Sequence, residues 1–159
     1  MGIAREEINI KILEYIRTHD MDKLNGKWLG SYSFDPELGQ DDKVFNFELT
    51  LQVDDEDDIS GEIKDISEND QSPGVAKVTG FVDDNEISFI KQYPALFLRN
   101  DVGEIIIDKT KEHPEIHYHG VISENSMEGE WDMEAGVLFK VGEFHSQLIS
   151  GKWKMEKVK

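Results

Sequence analysis

Gly26-Lys27-Trp28-Leu29-Gly30-Ser31-Tyr32-Ser33-Phe34 is the stretch on which the fold turns. Trp28, Gly30, Tyr32 and Phe34 alternate with Lys27, Leu29, Ser31 and Ser33. A period of two puts these sets on opposite faces of a strand. The opening triplet returns as Gly129-Glu130-Trp131 and Gly151-Lys152-Trp153, and the three copies hold all 3 tryptophans of the chain. In each, a glycine sits two residues before a tryptophan, on the same face. A glycine lets a backbone or a large ring pass close by. Small and large inward residues in alternation suit the tapering interior of a closed barrel.

Working outward, the next strand carries Phe45, Phe47, Leu49, Leu51 and Val53 against Asn46, Glu48, Thr50 and Gln52, one apolar face and one wet face. Asp54 to Asp58 is an acidic hairpin tip, and Ile59, Gly61, Ile63 and Asp65 share one face of a third strand. Val75–Val82 and Glu86–Tyr93 are two more strands about a tight Asp83-Asp84-Asn85 turn. Residues 95–109 hold two short apolar runs, Leu96-Phe97-Leu98 and Ile105-Ile106-Ile107, of either structure. Strands follow over Glu115–Ile122 and Met127–Met133, a further one is open around Val137–Val141, and Gly151–Lys157 is the last. Successive short hairpins predict an antiparallel meander, and closure removes its exposed edges.

Before the first strand the period is helical. Ile8, Ile12, Tyr15 and Ile16 form one face over residues 5–19, with Glu6 and Glu7 in the first turn and Arg17 and His19 in the last. The helix would flank one end of the barrel or form a dimer contact. The expectation is thus an all-β single domain over 1–159: one N-terminal α-helix at 5–19, and a single antiparallel up-and-down β-barrel of eight to ten strands at 26–157.

Composition narrows the function. Against 34 acidic residues stand 17 basic ones, a net charge of −17. That excess opposes nucleic acid and anionic membrane partners, and it favours a soluble, cytoplasmic protein. Residues 35–70 hold 14 acidic and 2 basic side chains, whereas the last 20 residues hold 5 lysines and 2 glutamates, so joining first and last strands sets opposite signs near one another. With 0 cysteines, disulfides, thiolate metal sites and cysteine nucleophiles are excluded. No apolar secretion segment follows the charged N-terminus.

With Gly26-Lys27-Trp28 opening the first strand, the meander behind it and this domain size, the chain resembles the calycin-type barrels: lipocalins, fatty-acid-binding proteins and avidins. That resemblance spans about residues 24–157. It implies an up-and-down barrel holding a small, often apolar ligand. The lipocalin Thr-Asp-Tyr triplet is absent, and residues 35–43 are too short for the helical lid of fatty-acid-binding proteins. The short loops are nearest to avidins, without a residue-by-residue match to a biotin site.

If the Phe45–Leu51 face is the interior, polar groups stand on apolar faces at Tyr32, Asp65, Lys91, Tyr93 and Tyr118. A buried Asp and Lys need each other or a ligand. The candidate site is therefore a pocket lined by Trp28, Phe47, Phe89 and Trp131, with Tyr32, Asp65, Lys91, Tyr93 and Tyr118 orienting a small molecule. The competing reading pairs Asp65 with Lys91 structurally at a strand end, or has both face solvent. In the cluster of His113, His117 and His119 the last two share a face, but Tyr118 takes the inner one, so both of these point outward and no metal site is assigned. Asp54–Asp58 lacks the order of a calcium loop. No nucleophile elbow or phosphate-cradling loop occurs, so no catalytic residue and no cofactor is assigned. The expected function is a non-catalytic lipocalin- or avidin-like barrel that binds a small, mainly apolar molecule. The alternative is a packed barrel serving as an interaction or structural module, favoured by its 3 Trp and 8 Phe. The oligomeric state stays open, a homodimer included.

Overall fold

The computed structural model describes residues 23–36, 44–66, 74–99, 105–140 and 143–158. Ten strands occur there: β1 (Gly26–Phe34), β2 (Val44–Val53), β3 (Asp58–Ile66), β4 (Ala76–Asp83), β5 (Glu86–Gln92), β6 (Leu96–Arg99), β7 (Ile105–Asp108), β8 (Ile116–Ile122), β9 (Ser126–Lys140) and β10 (Glu143–Lys157). Eight of them close into an antiparallel barrel in the order β1-β10-β9-β8-β5-β4-β3-β2, while β6 and β7 form a separate two-stranded sheet. β1 meets β10 with Trp28 opposite Lys157 and Phe34 opposite Gly151. The expected N-terminal helix at 5–19 lies outside the described residues.

Alternation sets the two faces. Trp28, Phe47, Leu49, Leu51, Ile63, Val78, Ile87, Met127 and Met155 are fully buried inside. Their neighbours Lys27, Asn46, Thr50, Glu62, Lys77, Glu128 and Lys154 are exposed outside. Apolar inside and charged outside is the reverse of a lipid-facing barrel. Among the described residues, no helix is long and apolar enough to cross a membrane.

The glycine–tryptophan triplets interlock. In the β9–β10 register Gly151 lies opposite Trp131, and Gly129 lies opposite Trp153. A Cβ at Gly151 would sit 2.6 Å from the Trp131 indole nitrogen and collide with the Ser33 carbonyl. A Cβ at Gly120 would sit 2.7 Å from the Trp153 ring. The indoles of Trp131 and Trp153 each fill the space that a glycine on a neighbouring strand leaves. The three indole N–H groups donate to backbone carbonyls: Trp28 to Leu24 at 2.9 Å, Trp131 to Ser33 at 3.0 Å and Trp153 to Glu130 at 3.0 Å. Burial of each ring therefore leaves no donor unpaired.

One end of the barrel is closed by tight turns. Residues 54–57 join β2 to β3, 84–85 join β4 to β5 and 123–125 join β8 to β9. Asp54 Oδ1 accepts from the amides of Glu56 and Asp58, both at 2.9 Å, so the acidic run is a self-bonded turn. Asp57 and Asp84 take φ of 67° and 54°, left-handed values that Asp tolerates in turns. Leu24 and Trp28 plug this end from within. At the other end the connections are longer: 35–43, 67–75 and 93–115, the last carrying β6 and β7.

The last hairpin settles what the sequence leaves open. Strands over Met127–Met133 and Gly151–Lys157 were expected, with residues 134–150 undecided and a further strand open around Val137–Val141. In the structure β9 runs unbroken to Lys140 and β10 starts at Glu143. Each strand supplies the other's backbone partners beyond the barrel wall, and the register shifts by one between Ser146 and Leu148. A bulge of that kind reverses inward and outward parity, which obscures a simple period of two.

Candidate functional site

The long-connection end gathers the polar residues that stand on apolar faces. Tyr32 and Phe34 come from β1, Phe45 from β2, Asp65 from β3, Lys91 from β5, and Tyr93 follows β5 directly. Lys91 shares the inner face of β5 with Ile87 and Phe89, all three buried. Its amine lies 3.2 Å from Asp65 Oδ1. The Tyr93 hydroxyl donates to Asp65 Oδ2. Both carboxylate oxygens are therefore engaged. The amine also stands over two rings, 4.6 Å from the Tyr93 centroid and 5.2 Å from that of Tyr32. The Lys91 side chain is 1% exposed and that of Asp65 is 15% exposed, so the carboxylate is the side of the pair nearer to water.

Burial sets the electrostatics. Loss of water lowers the Lys91 pKa below the ordinary lysine value of 10.5, and the Asp65 charge and hydrogen bond offset part of that. Burial raises the Tyr93 phenol well above 10.0, with the neighbouring Tyr32 and Asp65 adding to it. Tyr118 is raised in the same way, by burial first and then by Tyr32 and Asp65.

Aromatic rings surround the pair. Tyr32 stacks on Phe45 at 5.2 Å and meets Trp131 edge-on at 6.0 Å. Phe34 meets Trp131 edge-on at 5.0 Å and Phe45 at 5.7 Å. Tyr32, Phe34 and Phe45 are half-buried. Beneath them the barrel is filled: Phe89 stacks on Tyr118 at 4.7 Å, and Trp153 lies 5.8 Å from both. His113, which precedes β8, is buried edge-on to Tyr93 at 5.0 Å, and Gln92 Nε2 donates to its carbonyl at 3.2 Å.

Of the nine candidate residues, the structure joins Tyr32, Asp65, Lys91 and Tyr93 in direct contact, with Phe47 and Trp131 against Tyr32. Tyr118 and Phe89 lie one layer deeper. Trp28 stands at the opposite end, bonded to Leu24. Sequence reasoning left out Phe34, Phe45 and His113. The two phenylalanines carried a usable signal, since both fall on inward positions at strand ends. His113 carried none, because it sits in a connection without alternation.

His117 and His119 are exposed on the outer face of β8, as parity requires. His117 Nε2 lies 3.9 Å from Glu115. Among the described residues, no group of three or more metal-ligating side chains converges. Clefts around Ser31, Glu130 and Lys152, and around Thr79, Ser88 and His117, lie on the outer face between strands.

No protein-family model, no curated protein and no solved structure matches this chain. The functional reading therefore rests on the geometry above.

Proposed function

We propose that the chain is a non-catalytic binding module of the calycin kind that receives a small, mainly apolar molecule at its long-connection end. One observation carries the reading: a lysine, its carboxylate partner and a phenol are buried there beneath half-buried aromatic rings. A structural core gains little from such a cluster, because a buried ion pair is often no better than apolar residues of similar volume. A binding site needs it, since a few convergent polar groups orient a ligand against apolar walls. The filled layer of Phe89, Tyr118 and Trp153 blocks the barrel beneath the cluster, so a ligand would have to enter among the half-buried rings of Tyr32, Phe34 and Phe45. The likeness to lipocalins and avidins, the cytoplasmic setting and the absence of catalysis belong to this reading.

Native mass spectrometry of the purified protein tests it by showing a co-purified small molecule. An apolar fluorescent dye gives a second readout. The Lys91→Met variant should bind either more weakly, measured at a temperature where its unfolding curve shows it folded. Equal binding by wild type and variant removes Lys91 from the site. The packed-barrel alternative draws on the same aromatic layer. It gains the field if neither a bound molecule nor dye uptake is seen.

A further inference from the structure

We infer that Lys91 is an amine nucleophile that captures the carbonyl group of a small apolar aldehyde as an imine, with Asp65 as its counter-ion. The inference rests on the binding reading above and names its ligand class.

Charge selects the class. The Lys91 ammonium is already neutralised by Asp65 at 3.2 Å, and the second Asp65 oxygen accepts from Tyr93. A carboxylate ligand would set a second anion beside Asp65 in a buried site, at a large desolvation and repulsion cost. A neutral carbonyl adds no charge. Imine formation also conserves the charge on the lysine nitrogen: one ammonium becomes one iminium, and the Asp65 pair survives. The Tyr32 and Tyr93 rings, which face the amine at 5.2 and 4.6 Å, would face the iminium as well.

The chemistry follows from the pair. Asp65 takes one proton from the Lys91 ammonium, leaving a free amine. The nitrogen lone pair adds to the aldehyde carbon, and the carbonyl electron pair moves to oxygen. A proton passes from nitrogen to that oxygen, giving a carbinolamine. Asp65 returns its proton to the hydroxyl, water departs, and the C=N bond forms as an iminium beside the Asp65 carboxylate. An ammonium and an aldehyde have become an iminium and one water. A desolvated amine is the form that attacks, and burial lowers the pKa of Lys91 toward it. The surrounding aromatic rings keep water from returning. Lys23, Lys27, Lys64, Lys77, Lys109, Lys111, Lys152 and Lys154 are exposed, and Lys157 is half-buried at the opposite end. They lack this environment.

Cinnamaldehyde tests the inference on the full-length protein. Incubation at limiting aldehyde with cyanoborohydride, followed by peptide mapping, should place the reduced adduct at Lys91 at least tenfold above any other lysine. Asp65→Asn should lower the Lys91 adduct rate at least tenfold. Adducts confined to surface lysines, or an unchanged total in Lys91→Met, overturn the inference. The wild-type map decides the matter even if a variant folds poorly. Cinnamyl alcohol separates the two readings. If it quenches tryptophan fluorescence while the aldehyde leaves Lys91 unmodified, imine capture fails and the binding module stands. If the alcohol does not bind and Lys91 stays unmodified, both fail for this ligand size.

Discussion

The two ends of this barrel are built on different physics. One end is sealed by turns of two to four residues, with Trp28 and Leu24 packed inside and an acidic tip folded on its own backbone. The other carries longer connections and buries an ammonium, a carboxylate and a phenol among half-buried rings. The first arrangement removes apolar area from water and asks nothing else. The second holds groups whose desolvation costs free energy, and it recovers that cost through their mutual contacts. The proposed binding function rests on that contrast.

The largest test of that contrast is at the sealed end. Trp28→Ala should cost about 3–5 kcal/mol by leaving a cavity that tight turns cannot collapse. Denaturant unfolding measures it, and a cost under about 1 kcal/mol would mean the plug is dispensable. At the polar end, Asp65→Ala should cost about 3 kcal/mol, because Lys91 would be buried without its partner. The triple replacement Asp65→Leu, Lys91→Met and Tyr93→Phe should return to within about 1 kcal/mol of wild type, since an apolar set needs no partner and the Tyr93 donor to Asp65 is removed with it. If the triple variant stays as unstable as Asp65→Ala, the cluster is holding the barrel together and the division between the ends breaks down.

Alkaline titration sharpens the comparison without removing the cluster. The phenols of Tyr93 and Tyr118 titrate well above 10.0 when folded. The folded value is raised, so their contribution is fully present below pH 10 and is lost as pH rises beyond it. Each should weaken stability by about 1.4 kcal/mol per pH unit in that range. Lys91 works in the opposite direction. Its folded value is lowered, so stability rises with pH as that group approaches 10.5. Tyr118→Phe should flatten the alkaline loss, read by unfolding at several pH values. An unchanged profile would mean Tyr118 is not shielded from water. The smallest effect lies on the outer face, apart from both the plug and the cluster. Exposed Lys27 lies 3.5 Å from half-buried Glu48, and Lys27→Ala should change stability by under about 0.5 kcal/mol.

Much of this was legible in the sequence, and the limit has a physical cause. A period of two tells which face a residue takes but not which strand lies beside it. Trp28, Phe47 and Lys91 were therefore placed inside correctly, while the distance from Trp28 to the polar cluster was invisible. The pairing of Asp65 with Lys91 could be inferred because unlike buried charges need each other, and the third member, Tyr93, stood on the same face. The β9–β10 ribbon stayed undecided over residues 134–150 because its bulge between Ser146 and Leu148 shifts parity midway. His113 owes its burial to the ring of Tyr93, a contact between a strand end and a connection that no local pattern encodes.

The opposed glycines and tryptophans of β9 and β10 also bear on how the barrel finds its dimensions. Keeping every side chain on its proper face, β10 could slide along β9 only by two residues. One direction would set Trp153 against Trp131 and Gly151 against Met133. The other would set Gly151 against Gly129, a gap, and Trp153 against Met127. Neither slip leaves an indole facing a glycine. The two triplets thus work as a key cut to a single alignment, and since strand stagger fixes a barrel's tilt and girth, they help to fix how wide the barrel is.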